Sequence, residues 1–403
     1  MAKGHARERS RNIWQLEVDL GSYKDPETGR RKRNRKYKTV TAKGQREADT
    51  ELAKFVTEVT GDDYFEPTKM MFFDFVMKEW LPKCGELRLS HTTLATHIEY
   101  LELRILPAFK YLRVDQIQPK HIVDFIYNIS EDGMRADGKE GKLASSTIFY
   151  HYRILNNIFN FAVEIKMIEE SPLENVQKPS VEYEESEVYD LEETVLLLAC
   201  LQKELLHWQV AVILAVTKGM RRSELFGLDL LKHFNFRKNT VEVRQALTYS
   251  KRSGFQIHEI KKGNKRAKKR NIALSAILHE PLSELITLRM KERAVAEELW
   301  EDGKHCLLLA HEDGEPYNPS SMRNWWVRFL KRHNLRYIKL HSLRHTMVTL
   351  LIELEIPLSA ISDRAGHSGI QITNDTYGHK LKTADQVATA KLDAALSGTN
   401  KNQ

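Results

Sequence analysis

Arg221, Glu224, His341, Arg344, His367 and Tyr377 follow one another in the second half of the 403-residue chain, with a lysine-rich turn between the second and third of them. A guanidinium can fork onto two non-bridging oxygens of a phosphodiester, and a nearby carboxylate can orient it. Arg221 and Glu224 are three residues apart, the spacing that shares one helix face; His341 and Arg344 repeat it. Tyr377 is one of 14 tyrosines, singled out by lying ten residues after His367 and just before Gly378. A phenol titrates near pH 10, so it needs cationic neighbours to attack as an oxyanion. An attack of this kind on a phosphate also needs donors around the pentavalent transition state and an acid for the departing oxygen. The turn KKGNKRAKKR offers that acid in Lys261, Lys262 or Lys265.

The elements that must position these groups are legible around them. LLHWQVAVILAVTK reads as an apolar helix broken at Gly219, and a second helix then carries Arg221 and Glu224. Arg222 points about 100° away from Arg221 and reads as a backbone-phosphate contact or surface charge. NTVEVRQALTY and FQIHEI are strand-like ahead of the basic turn, and RNIAL is a strand after it. HSLR opens another apolar helix. In AGHSGIQ, Gly366 allows a backbone turn and Ser368 could cap the next helix. Residues 383–396, TADQVATAKLDAAL, are amphipathic at helical spacing.

Upstream, IWQLEVDL (13–20) alternates strictly, a turn is expected at Asp25, Pro26 and Gly29, and RRKRNRKYKTV returns as a strand. That strand carries Arg30, Arg31, Lys32, Arg33, Arg35, Lys36 and Lys38, and a helix with Ala48, Leu52, Phe55 and Val59 on one side follows, so a small sheet with one basic face backed by a helix is expected. Residues 63–180 carry helical periodicity without a strand signal, with starts at Ser90 and Pro119. EDGMRADGKEGKL (131–143) reads as an exposed loop. The acidic run in KPSVEYEESEVYD reads as a linker rather than core.

Net charge is +7, and it is concentrated. Residues 1–60 hold 15 basic residues against 9 acidic, and residues 251–270 hold nine against Glu259 alone. Such clusters point to phosphate-contacting surfaces, with Lys265 and Arg266 in the second. Cys84, Cys200 and Cys306 match no metal spacing and are expected to be reduced thiols. No apolar run approaches the roughly 18 residues that span a bilayer, and the first residues lack a signal-peptide core, so a cytoplasmic protein with no membrane partner is expected.

TKGMRRSEL, KGNK, HSLRHT, AGHS and NDTYGH, in that order, resemble the tyrosine site-specific recombinases, specifically the phage and conjugative-transposon integrases. The resemblance implies a multidomain α+β chain. Residues 1–62 would be an arm-type DNA-binding domain of small β-sheet plus helix, 63–180 a helical, SAM-like core-binding domain, and 181–403 a mainly α catalytic domain with a small antiparallel sheet and a tail helix. It implies that Tyr377 is the nucleophile, that Arg221, His341, Arg344 and His367 offset charge, that Lys262 is the proton donor and that Glu224 supports Arg221. One departure is Lys218, which stands between Thr217 and Gly219 where the family has threonine-glycine directly; it bears on Thr217 rather than on Arg221. The resemblance further implies double-stranded DNA bound at core and arm sites, a homotetramer on that DNA, no metal or other cofactor, and association with a bacterial nucleoid. A directionality factor (excisionase) and a DNA-bending protein would be partners. A resolvase, a type IB topoisomerase and a catalytically inactive DNA-binding protein are the alternatives, and whether the tail docks in its own subunit or a neighbour stays open.

Overall fold

The structure, a computed structural model, describes residues 3–24, 30–60, 69–182, 186–260, 269–300 and 304–366, together with Thr389, Leu392, Asp393 and Leu396. It divides into two compact units, Met1–Glu182 and Tyr183–Gln403.

The first unit opens with an antiparallel meander of β1 (Lys3–Ser10), β2 (Ile13–Lys24) and β3 (Arg31–Thr41). Trp14, Leu16 and Val18 alternate inward along β2 and are buried against Ala48, Phe55 and Val59 of α1 (Gln45–Thr60). The β1 strand was not anticipated, because KGHARERS has no apolar alternation. It is held by pairing with β2 and by Gly4, where a Cβ would come within 3.0 Å of Val56 on α1. The register also corrects the expectation of a single basic face. Lys36 and Lys38 stand opposite Val18 and Leu16, on the side that α1 covers, and the Lys38 ammonium lies 2.7 Å from Glu58. Arg35 stands opposite Asp19 on the other face, 3.0 Å from Glu17 and 3.2 Å from Asp19.

Four helices follow: α2 (72–88), α3 (91–109), α4 (Pro119–Ile129) and α5 (Ser145–Glu164). In α2 the stretch Val76–Gly85 is a π-helix that holds Pro82, whose missing N–H the wider turn accommodates. Ser90 caps α3 by accepting from the Thr93 N–H at 3.3 Å, and Pro119 opens α4. Phe72, Phe75, Trp80, Phe109 and Phe159 fill the core between them.

The second unit is organised around α7 (Leu206–Lys218), which follows α6 (Leu191–Leu201). Nearly every residue of α7 is buried, so it reads as apolar all round and sits at the centre of the core. The short α8 (Arg222–Phe226) turns back from it. Then come β4 (Phe234–Asn235), β5 (Thr240–Val243), the hairpin of β6 (Gln245–Ser250) and β7 (Gly254–Glu259), and β8 (Arg270–Ala273). β5 pairs antiparallel with β4 and β8. The helices α9 (Ala276–Ala296), α10 (Pro319–Arg332), α11 (Ser342–Glu353) and α12 (Leu358–Ala365) complete the described part.

The linker reading needs correction at its end. Tyr189, just before the last acid of the run, is 1% exposed; its hydroxyl donates to Arg336 O at 2.5 Å and its N–H to Thr346 Oγ1 at 3.1 Å. Asp190 caps α6 through the Glu193 N–H, and Glu187 pairs with Arg336. The acids stay outside while the aromatic ring enters the core.

Candidate active site

The site is built where α7, α8, β8, α11 and α12 meet. α7 ends at Gly219, whose φ of +62° is the left-handed cap that glycine adopts without strain. The chain then extends through Arg221, the N-cap of α8, and Glu224 falls in the first turn of that helix. Glu224 is 1% exposed and accepts from the Arg221 N–H at 2.8 Å and from Arg221 Nη1 at 3.0 Å. A second arginine shares it: Arg270 Nη1 and Nη2 donate to the two Glu224 oxygens at 3.0 and 2.9 Å. Desolvation pushes the Glu224 carboxyl up, but the hydrogen bonds and charge of Arg270, then the charge of Arg221, outweigh it and hold the group below the usual carboxylate range.

Three successive carbonyls at the C-terminal end of α12 each accept from an arginine of a different element. Arg270 Nε donates to Arg364 O at 2.9 Å, Arg344 Nη1 to Ala365 O at 2.5 Å, and Arg221 Nη2 to Gly366 O at 3.1 Å. Cations at a helix C-terminus also meet the negative end of the macrodipole. Arg344 Nη1 donates as well to Gly219 O at 2.5 Å, and Arg364 Nη2 to Thr217 O at 2.8 Å, so α7 is tied to the same cluster.

Arg221 and His341 both line a cleft of about 490 Å³, together with Met220, Arg222, Arg323 and Lys339. His341 is the N-cap residue of α11 and stays exposed at the cleft surface. Desolvation by the surrounding protein, then His345, Arg344 and Arg221, push its imidazole down to about 4. The ring of His345 stands edge-on to it, with centroids 5.3 Å apart. Arg344 is thus within electrostatic reach of His341, with Nη1 engaged by the backbone. Lys262, Lys265, Arg266, His367 and Tyr377, and the alternative Lys261, lie outside the described residues, as does most of the amphipathic stretch 383–396.

The sequence assigned no role at this site to two further residues. Arg270 was counted only within a basic run. The signal was its place in RNIAL: Ile272 and Leu274 are buried and Asn271 and Ala273 exposed, so alternation puts Arg270 on the inner face, where an arginine needs a buried acid. Lys218 is 2% exposed as the last residue of α7; desolvation, then Arg364, push its pKa down to about 8, and no carboxylate pairs with it among the described residues.

The family model for phage integrases matches residues 187–384, and the model for the SAM-like N-terminal domain of phage integrases matches residues 72–129. The chain belongs to the phage integrase family and is a tyrosine recombinase, an enzyme that cuts and rejoins DNA at specific sites. It is 21% identical over 376 residues to an integrase of Saccharopolyspora erythraea, covering 80% of this chain and 82% of that one. The ICEBs1 integrase of Bacillus subtilis is 22% identical over 382 residues, covering 95% and 98%. Among solved structures, the Tn1549 transposon integrase in complex with a circular intermediate DNA superposes with a TM-score of 0.65 at 19% identity, over 80% of this chain and 99% of that one. Among the described residues, no helix is long and apolar enough to cross a membrane, and all three cysteines are free.

Proposed function

We propose that this chain integrates and excises a mobile element or prophage through a 3′-phosphotyrosyl intermediate. Tyr377 attacks the scissile phosphorus, its O–P bond forming as the bond to the 5′-oxygen breaks. Lys262, in a turn that also holds Lys261 and Lys265, protonates the leaving 5′-oxygen. Arg221, Arg344, His341 and His367 offset charge on the non-bridging oxygens, and Glu224 holds Arg221 in orientation. The phosphotyrosyl bond conserves the energy of the broken linkage, so the 5′-hydroxyl of a second duplex can reverse the attack and exchange strands. Exchange between two duplexes requires four active tyrosines, hence a homotetramer on DNA.

In this reading residues 1–62 bind arm-type sites through the basic residues between Arg30 and Lys38, residues 63–180 grip the core site, and residues 181–403 carry the chemistry, with Lys265 and Arg266 on the DNA backbone. An excisionase and a DNA-bending protein would set direction, and the enzyme would work on the nucleoid in the cytoplasm of a bacterial host.

The observation that carries the proposal is the pairing of Arg221 and His341 on one cleft, with the Arg221 guanidinium anchored by buried Glu224 yet still 26% exposed. Such a group is pre-aimed at an anion before one arrives. The test is incubation with nicked duplexes from the ends of the DNA element that encodes the chain. Wild type should give a covalent protein–DNA band on a denaturing gel and Tyr377→Phe none; an adduct that survives Tyr377→Phe would overturn the assignment, and plasmid relaxation without strand exchange would turn the reading towards a topoisomerase.

A further inference from the structure

The cleft has a second cationic wall that the chemistry above does not use. Leu335 to Leu340 connects α10 and α11 outside helix and strand. Ile338 is buried, with the Trp326 Nε1–H donating to its carbonyl at 2.8 Å. Arg336 is turned away onto Glu193 at 2.7 Å. Tyr337, Lys339, Leu340 and His341 line the cleft together. Arg323, from the first turns of α10, and Arg222, from the start of α8, line it from neighbouring elements.

Two features separate this wall from ordinary surface charge. Arg35, Arg88, Arg135, Arg289 and Arg336 each have a carboxylate within 3.2 Å. Among the described residues no carboxylate pairs with Arg222, Arg323 or Lys339, and no acid lines the cleft. Arg222 and Arg323 are also within electrostatic reach of one another: desolvation, then the charge of Arg323, hold the Arg222 guanidinium below its usual range. Like charges gathered on a preorganised ledge without a counter-charge raise each other's energy until an anion is bound. The ledge adjoins Arg221 and His341, so an anion there would be the neighbour of the phosphate those residues hold.

We propose that Arg222, Arg323, Lys339 and the Tyr337 hydroxyl form a second phosphate subsite, which binds a backbone phosphodiester flanking the scissile one on the same DNA. The subsite rests on the recombinase reading and adds to it a contact that contributes binding and register rather than bond-making. A phosphate contact of this kind is independent of base sequence and makes affinity salt-dependent.

The experiment uses the full chain carrying Tyr377→Phe, so that binding is read at equilibrium, on a duplex bearing the crossover site. Arg323→Gln and Lys339→Gln should each weaken binding and lower the slope of log affinity against log salt by about 0.9, the value for one released phosphate contact. Neutral methylphosphonate is then placed at one backbone position at a time. It should weaken the parent protein at a flanking phosphate, and the Arg323→Gln/Lys339→Gln variant should no longer respond at that position. An unchanged salt slope, or a methylphosphonate penalty that persists in the double variant, would overturn the subsite. Thermal melts without DNA identify a variant that fails to fold; Lys339→Arg then serves as the second probe and should restore the slope. Failure of the recombinase reading is recognised separately, by the absence of any Tyr377-dependent adduct in the otherwise wild-type chain.

Discussion

At the scale of single residues, the cluster around Glu224 shows how two arginines can share one buried acid without competing. Arg270 takes both carboxylate oxygens from the strand side, while Arg221 takes one oxygen and gives its backbone N–H to the other. Removing one partner of a buried pair leaves an uncompensated charge, a loss of about 3–5 kcal/mol. Arg270→Met should therefore destabilise the second unit by that order in urea unfolding and slow adduct formation, whereas Arg270→Lys, which keeps the charge but loses the fork, should fall between; a Met variant as stable as wild type would show that Glu224 does not depend on it. The contact between Arg221 and Glu224 was legible because the two residues stand three apart, the spacing of neighbours on a helix face. Arg270 was not, since its partner lies 46 positions away and only the strand pairing of β8 with β5 turns it inward.

At the scale of elements, α8 is only five residues long and cannot be stable by itself. Its position depends on close approach to β6: a Cβ on Gly227 would come within 2.8 Å of Ala246 Cα, and the Gln245 side-chain amide donates to Gly227 O at 2.7 Å. Gly227→Ala should force α8 off the hairpin at a cost of about 1–3 kcal/mol, and because Arg221 and Glu224 travel with α8, adduct formation should fall by more than the loss of folded protein explains. Comparing single-turnover rates after correction for the folded fraction separates the two effects. The elements were readable in sequence where one period dominated, as in IWQLEVDL or α7. They were hidden where tertiary pairing did the work: β1 is a strand only because β2 offers it an edge, and Tyr189 is core only because Arg336 and Thr346 receive it.

At the scale of the whole molecule, both units bury neutral histidines. Desolvation is the first cause that pushes His97 in the helical bundle, and His207 and His233 in the second unit, each down to about 4. The unfolded chain takes up these protons near pH 6.5 while the folded one does not until about pH 4, so stability is full above 6.5 and lost as the pH falls through that window. At pH 5 the loss is about 2 kcal/mol for each histidine. Melting temperatures should drop steeply between pH 6.5 and 4, and His207→Gln should flatten the drop; an unchanged acid limb would show that His207 is not buried as the neutral form. The end of α12 carries a different consequence for the molecule's history. Arg364, Ala365 and Gly366 present their carbonyls to three guanidiniums in a fixed rotational order, and one inserted residue would turn that order by about 100°. The helix should therefore tolerate substitutions along its outer side while its length stays invariant, a ruler whose last three marks are read by arginines.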